Sequence, residues 1–162
     1  MDATSDLELK LAENDVIKGV KNFLLAKGKT SRSDVRCSAN AEKKEHGIDL
    51  KIYKGTANGR GNIYHIEAKG DILASGDKKK TNFLTEFRWA VSQIILRINH
   101  PSNKNNRIYG IAIPAYEKDR CIKLIKNNWA LKELGIRLYC AYKKDGKLTA
   151  DEYTPKDLYR LR

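Results

Sequence analysis

The chain has no apolar run approaching the ~20 residues needed to cross a bilayer as a helix. It has no internal repeat and no low-complexity linker, and only three prolines, Pro101, Pro114 and Pro155. Neither a solenoid nor a tethered pair of domains is expected. Cysteine is scarce too. Cys37, Cys121 and Cys140 are odd in number and widely spaced, which makes a poor disulfide framework. With three histidines beside them, no paired spacing suggests zinc. Reduced, partly buried thiols are expected. Met1 to Asp6 is polar and acidic, and no apolar signal segment follows it. The expectation is a soluble protein of the cytoplasm.

Positive charge is what the chain has in excess. Lys and Arg number 32 against 20 Asp and Glu, a formal net charge of +12. Such a balance favours a polyanionic partner, with nucleic acid first. A membrane surface is disfavoured, because no basic amphipathic helix carries a bulky apolar face. The 162 residues and 41% hydrophobic content fit one domain, 1–162, with its own core.

Periodicity predicts the elements. Residues 6–27 read as a helix, with Ser5 and Glu8 as a capping box, Gly28 at its end, and Leu9, Val16, Val20, Phe23 and Leu24 at helical spacing. Val35–Ala39 reads as a short strand. Gly47–Tyr53 and Ile63–Lys69 alternate as strands do, and Asn58-Gly59 between them is a hairpin signal. Thr81 is the expected cap of a helix to Ile98, whose stripe is Leu84, Phe87, Val91, Ile94, Ile95 and Ile98. A strand at Arg107–Pro114, a helix at Glu117–Leu134, a strand at Ile136–Tyr142 and a last turn or two over Thr154–Arg162 follow. The order α-β-β-β-α-β-α-β implies an α/β layered domain with a mixed sheet.

An acid two residues before a lysine occurs six times, at 8–10, 42–44, 49–51, 67–69, 77–79 and 145–147. The tripeptide Glu67-Ala68-Lys69 is therefore weak by itself. Only 49–51 and 67–69 fall on expected strands, where residues two apart share a face. Folding the hairpin about Asn58 sets Leu50 opposite Ile66 and Asp49 opposite Glu67. Two carboxylates so paired repel, unless a cation lies between them. Mg²⁺, with Mn²⁺ as its substitute, suits hard oxygen ligands. The plainer alternative is a surface patch in which Lys51 and Lys69 balance the two acids. Glu13 lies in line with the first helix's apolar stripe, which points its carboxylate inward; a solvated first turn is the alternative. Gln93 shares a helix face with Glu86, Ala90 and Arg97, and that face abuts the apolar stripe.

Taken together, the pattern resembles the PD-(D/E)XK nuclease superfamily. Its members carry a helix-borne Glu, an acid on the second strand, an acid-x-Lys on the third and often a Gln on the next helix. Glu13, Asp49, Glu67-Ala68-Lys69 and Gln93 stand in that order, over Glu13 to about Tyr142. His46-Gly47-Ile48-Asp49 stands where the signature has Pro-Asp, with Ile48 replacing proline, a departure many relatives share. The likeness is to resolvase-like and type IV restriction-like members. It implies a restriction-endonuclease-like αβββαβ core, a mixed central sheet flanked by helices, and hydrolysis of DNA phosphodiester bonds.

On that reading Asp49 and Glu67, with Glu13, hold the metal, Lys69 positions a water or stabilises developing charge, and Gln93 orients the site. Lys78, Lys79 and Lys80, then Arg60 and Arg97, are the expected DNA contacts, and they read backbone charge. A homodimer is conceivable, because cutting two strands often uses two sites. The competing readings are a non-catalytic nucleic-acid-binding module and a protein-interaction domain whose charge serves solubility.

Overall fold

The computed structural model describes residues 10–27, 49–55, 61–71, 82–98 and 106–160. Five strands form one sheet in the order β1-β2-β3-β4-β5: β1 Leu50–Gly55, β2 Gly61–Ala68, β3 Arg107–Pro114, β4 Arg137–Lys144 and β5 Lys147–Tyr153. The outer pairs β1–β2 and β4–β5 are antiparallel, while β2–β3 and β3–β4 are parallel. Parallel neighbours need a crossover, and helices supply both. α2, Phe83–Arg97, joins β2 to β3; α3, Lys118–Lys126, and α4, Trp129–Glu133, join β3 to β4.

Strand alternation sends side chains into two cores. On one face α1, Glu13–Ala26, lays Val16, Val20 and Leu24 over Leu50, Ile52, Ile66, Ala112, Tyr139 and Ala141. On the other, Phe87, Ala90 and Ile94 of α2 and Ile122 and Ile125 of α3 cover Ile111, Ile113, Leu138 and Cys140. The fold is thus α/β, a mixed sheet with helices on both faces, as expected. A Cβ added to Gly19 would stand 2.7 Å from the Thr149 carbonyl oxygen, so a larger residue there would hold α1 off β5. Among the described residues no helix is long and apolar enough to cross a membrane.

Several boundaries differ from expectation. Lys10 to Ala12 lie outside α1, which begins at Glu13 without a side-chain cap bond. The N-cap of α2 is Asn82, whose side chain accepts from Leu84 N, not Thr81. The buried stripe of α2 is Phe83, Phe87, Ala90 and Ile94, so Ile95 is exposed. The expected helix 117–134 is interrupted at Asn127 and Asn128, where the Asn128 side chain caps α4 through Ala130 N and Leu131 N. β5 was not anticipated. Asp145 (φ 49°) and Gly146 (φ 72°) turn β4 back into it. The last helix, α5, is shorter than expected, Pro155–Leu158, and a Thr154–Asp157 capping box starts it. Val35–Ala39, Ser5, Glu8, Leu9, Gly28, Asn58 and Gly59 lie outside the described residues.

Candidate active site

The β1–β2 register is the one the hairpin reading predicts: Leu50 opposes Ile66 and Lys51 opposes His65. Asp49, one residue ahead of β1, therefore meets the end of β2 beside Glu67. Its Oδ2 accepts a hydrogen bond from Ala68 N at 2.8 Å. Leu50, Ile66 and Ala68 are buried toward α1, so Glu67 points to the α2 face.

Glu67 is 1% exposed. A carboxylate so buried must be paired, and Arg97 of α2 forms an ion pair with its Oε1. The Arg97 side chain keeps 26% exposure, so the pair opens toward solvent on one side. Gln93 stands one turn earlier and is half-buried. Its Oε1 is enclosed, with no hydrogen-bond partner among the described residues. The face of α2 bearing Ala90, Gln93 and Arg97 thus looks onto the sheet, as its spacing suggested.

Lys69 continues the ladder past β2, its N–H donating to the Ala112 carbonyl oxygen at 2.9 Å. Its ammonium lies 3.4 Å from Glu13 Oε2 and is mostly covered, while the Glu13 side chain is 46% exposed. Glu13 is therefore neither wholly inward nor wholly solvated. Gly70 permits the contact: a Cβ there would fall 2.1 Å from Glu13 N. Asp71 N donates to the Leu11 carbonyl oxygen at 2.7 Å and fastens the two segments. Partial burial pushes the Glu13 carboxyl above its ordinary range, opposed by Lys69 and reinforced by Asp49 and Glu86. Glu13, Asp49, Lys69 and Glu86 consequently share one electrostatic environment.

Sequence reasoning passed over the neighbours on Glu67's strand face. His65 is buried and stacks on Tyr109, with ring centroids 5.4 Å apart. Burial, then the positive charges of Lys51, Arg107 and Arg97, lower its pKa to about 4. Neither ring nitrogen of His65, nor Arg107 Nε, has a hydrogen-bond partner among the described residues. The signal was present in the alternation, which sets His65 on Glu67's face and opposite Lys51.

The donors suit a hard divalent cation. They are carboxylate oxygens, and the contacts named above engage one oxygen of each acid: Asp49 Oδ2, Glu67 Oε1 and Glu13 Oε2. Among the described residues no three or more His, Cys, Asp or Glu side chains already stand as a group that could hold a metal. Cys121 and Cys140 are free and buried; burial pushes the Cys140 thiol up to about 12 and raises Cys121 as well. Both are therefore thiols at neutral pH. Lys78, Lys79, Lys80, Arg60 and Cys37 lie outside the described residues. No family model, curated protein or solved structure matches the chain.

Proposed function

We propose that this protein is a metal-dependent nuclease that hydrolyses DNA phosphodiester bonds as an endonuclease, on a restriction-endonuclease-like core. One observation carries the reading. The hairpin register brings Asp49 beside Glu67-Ala68-Lys69, while Lys69 pairs with Glu13 and Arg97 pairs with Glu67. Glu13 lies in the field of both Lys69 and Asp49, and Asp49 meets the strand end that carries Glu67, in a chain whose net charge is +12. A structural salt bridge needs one acid and one base; further acids close enough to raise the Glu13 carboxyl repel it.

Asp49 and Glu67, with Glu13, would hold Mg²⁺ or Mn²⁺. The metal would supply Lewis acidity at the scissile phosphate and a bound water of lowered pKa. The chain's own groups do the rest. Lys69 neutralises part of the acid cluster and offers its ammonium to developing phosphate charge. Gln93 has an enclosed amide with which to orient a water or a phosphate oxygen. Arg97 pairs with the buried Glu67 and keeps its own exposed side toward solvent.

A second reading has its own support. Asp49 already accepts from Ala68 N, and Glu67 is already paired with Arg97. A non-catalytic nucleic-acid-binding module on the same fold would show the same contacts. Incubation with supercoiled plasmid, single strands and four-way junctions separates the two. The nuclease cuts at least one substrate with Mg²⁺ or Mn²⁺ and none with chelator. Retention of DNA without cleavage under every metal condition supports the module instead.

A further inference from the structure

A recess of about 600 Å³ opens between α1 and the β4–β5 hairpin. Among the described residues Lys10, Lys18, Lys143 and Lys147 line it against a single acid, Asp15. Four cations around one carboxylate repel one another, and an anionic occupant would relieve that cost. Among the described residues no aromatic side chain lines the recess. The described lining offers charge for a phosphate backbone, with no ring on which a base would stack.

The recess is preformed. Asn22 Nδ2 donates to the Leu148 carbonyl oxygen at 2.9 Å, and Gly19 seats α1 directly against Thr149. One end lies at the candidate active site, because Leu11 lines the recess and its carbonyl oxygen accepts from Asp71 N. Two residues on, Glu13 pairs with Lys69. From Asp15 to Ala26 the lining helix rises about 16 Å. At roughly 3.4 Å per phosphate along one strand, that length spans about five phosphates.

From the charge, the length and the shared end, we infer that this recess carries the phosphate backbone of the DNA flanking the cut. The inference rests on the nucleic-acid reading above, and adds Lys10, Lys18, Lys143 and Lys147 to the expected DNA contacts. Its recognition is independent of sequence and steeply dependent on salt.

The test is fluorescence anisotropy of the full chain with a labelled duplex over a salt series, with chelator to prevent cutting. The variant K18Q/K143Q/K147Q is compared with K123Q/K126Q/K132Q, which removes equal charge from α3 and α4. The recess variant should bind more weakly, and its slope of log K against log salt should be shallower by up to about 2.7, roughly 0.9 per lost contact. The α3–α4 variant should keep the parent slope, and K18R/K143R/K147R should restore it.

A recess variant with the parent slope, or an equal loss in both Gln variants, overturns the inference while leaving the nuclease reading intact. A parent that shows no salt-dependent binding overturns both. Displacement of the duplex by poly-glutamate as readily as by unlabelled DNA assigns the recess to acidic polypeptides and overturns it too.

Discussion

Two charged clusters sit at the two ends of α1, and they are built on opposite plans. At the C-terminal end Glu152 is one acid met by three donors: Lys27 at 2.9 Å, Arg137 at 2.6 Å and the Tyr139 hydroxyl at 3.0 Å. Burial opposes its ionisation, yet the three donors prevail and hold its carboxyl below the usual range. At the N-terminal end Glu13 pairs with Lys69 in the field of two further acids, Asp49 and Glu86, and the Glu13 carboxyl is raised. The first cluster is complete as a brace between α1 and the β4–β5 edge. The second keeps its acids together against their repulsion, which natural folds tolerate where a site requires it.

The largest effect that separates the clusters is on cleavage. Asp49→Asn retains an oxygen to accept from Ala68 N, so its thermal midpoint should stay near the parent's. Its cleavage rate should fall by about 10³-fold or more, equivalent to roughly 4 kcal/mol of lost transition-state stabilisation. Plasmid nicking alongside a melting curve measures both.

Next in size is the response to acid around His65, in metal-free protein. The folded state stays unprotonated down to about pH 4, whereas an unfolded His takes its proton near 6.5. Between those values the unfolded state binds more protons, so stability falls as pH falls through the window and levels off below it. The loss should approach about 3 kcal/mol. Urea unfolding over that range should show it, and His65→Phe should flatten the profile there.

Gly70→Ala should cost about 3 kcal/mol, the upper end for overpacking, because the obstruction is the backbone of Glu13. It should also part Glu13 from Lys69, so cleavage should drop with stability. Glu152→Gln should cost about 2 kcal/mol, since Arg137 is left without its counter-charge but keeps some solvent. Cleavage per folded molecule should be unchanged, and that contrast with Gly70→Ala distinguishes a brace from a site.

Much of the arrangement was legible where the period of apolar residues sets the answer. The register of Leu50 against Ile66 follows from alternation and turn position, because a slip of one residue would turn Leu50, Ile52 and Ile66 out of the core. The face of α2 that bears Gln93 and Arg97 followed from helical spacing. What was missed depends on single local bonds or on long-range pairing. The break at Asn128 is a cap competing with helix continuation, and hydrophobic spacing runs straight through it. β5 carries half-exposed polar residues as an edge strand does, so its alternation was faint, although Asp145-Gly146 is a hairpin turn signal. The ion pair between Arg97 and Glu67 joins residues on different elements, and no spacing rule reaches it.

The most direct test sets the two clusters side by side. Parent protein, Asp49→Asn and Glu152→Gln are incubated with supercoiled plasmid and Mg²⁺, each corrected for its folded fraction. The predicted result is that the parent and Glu152→Gln nick the plasmid at equal rates and Asp49→Asn does not. Equal nicking by all three, or loss of cleavage in Glu152→Gln alone, would contradict the assignment of the active site to Asp49, Glu67 and Lys69.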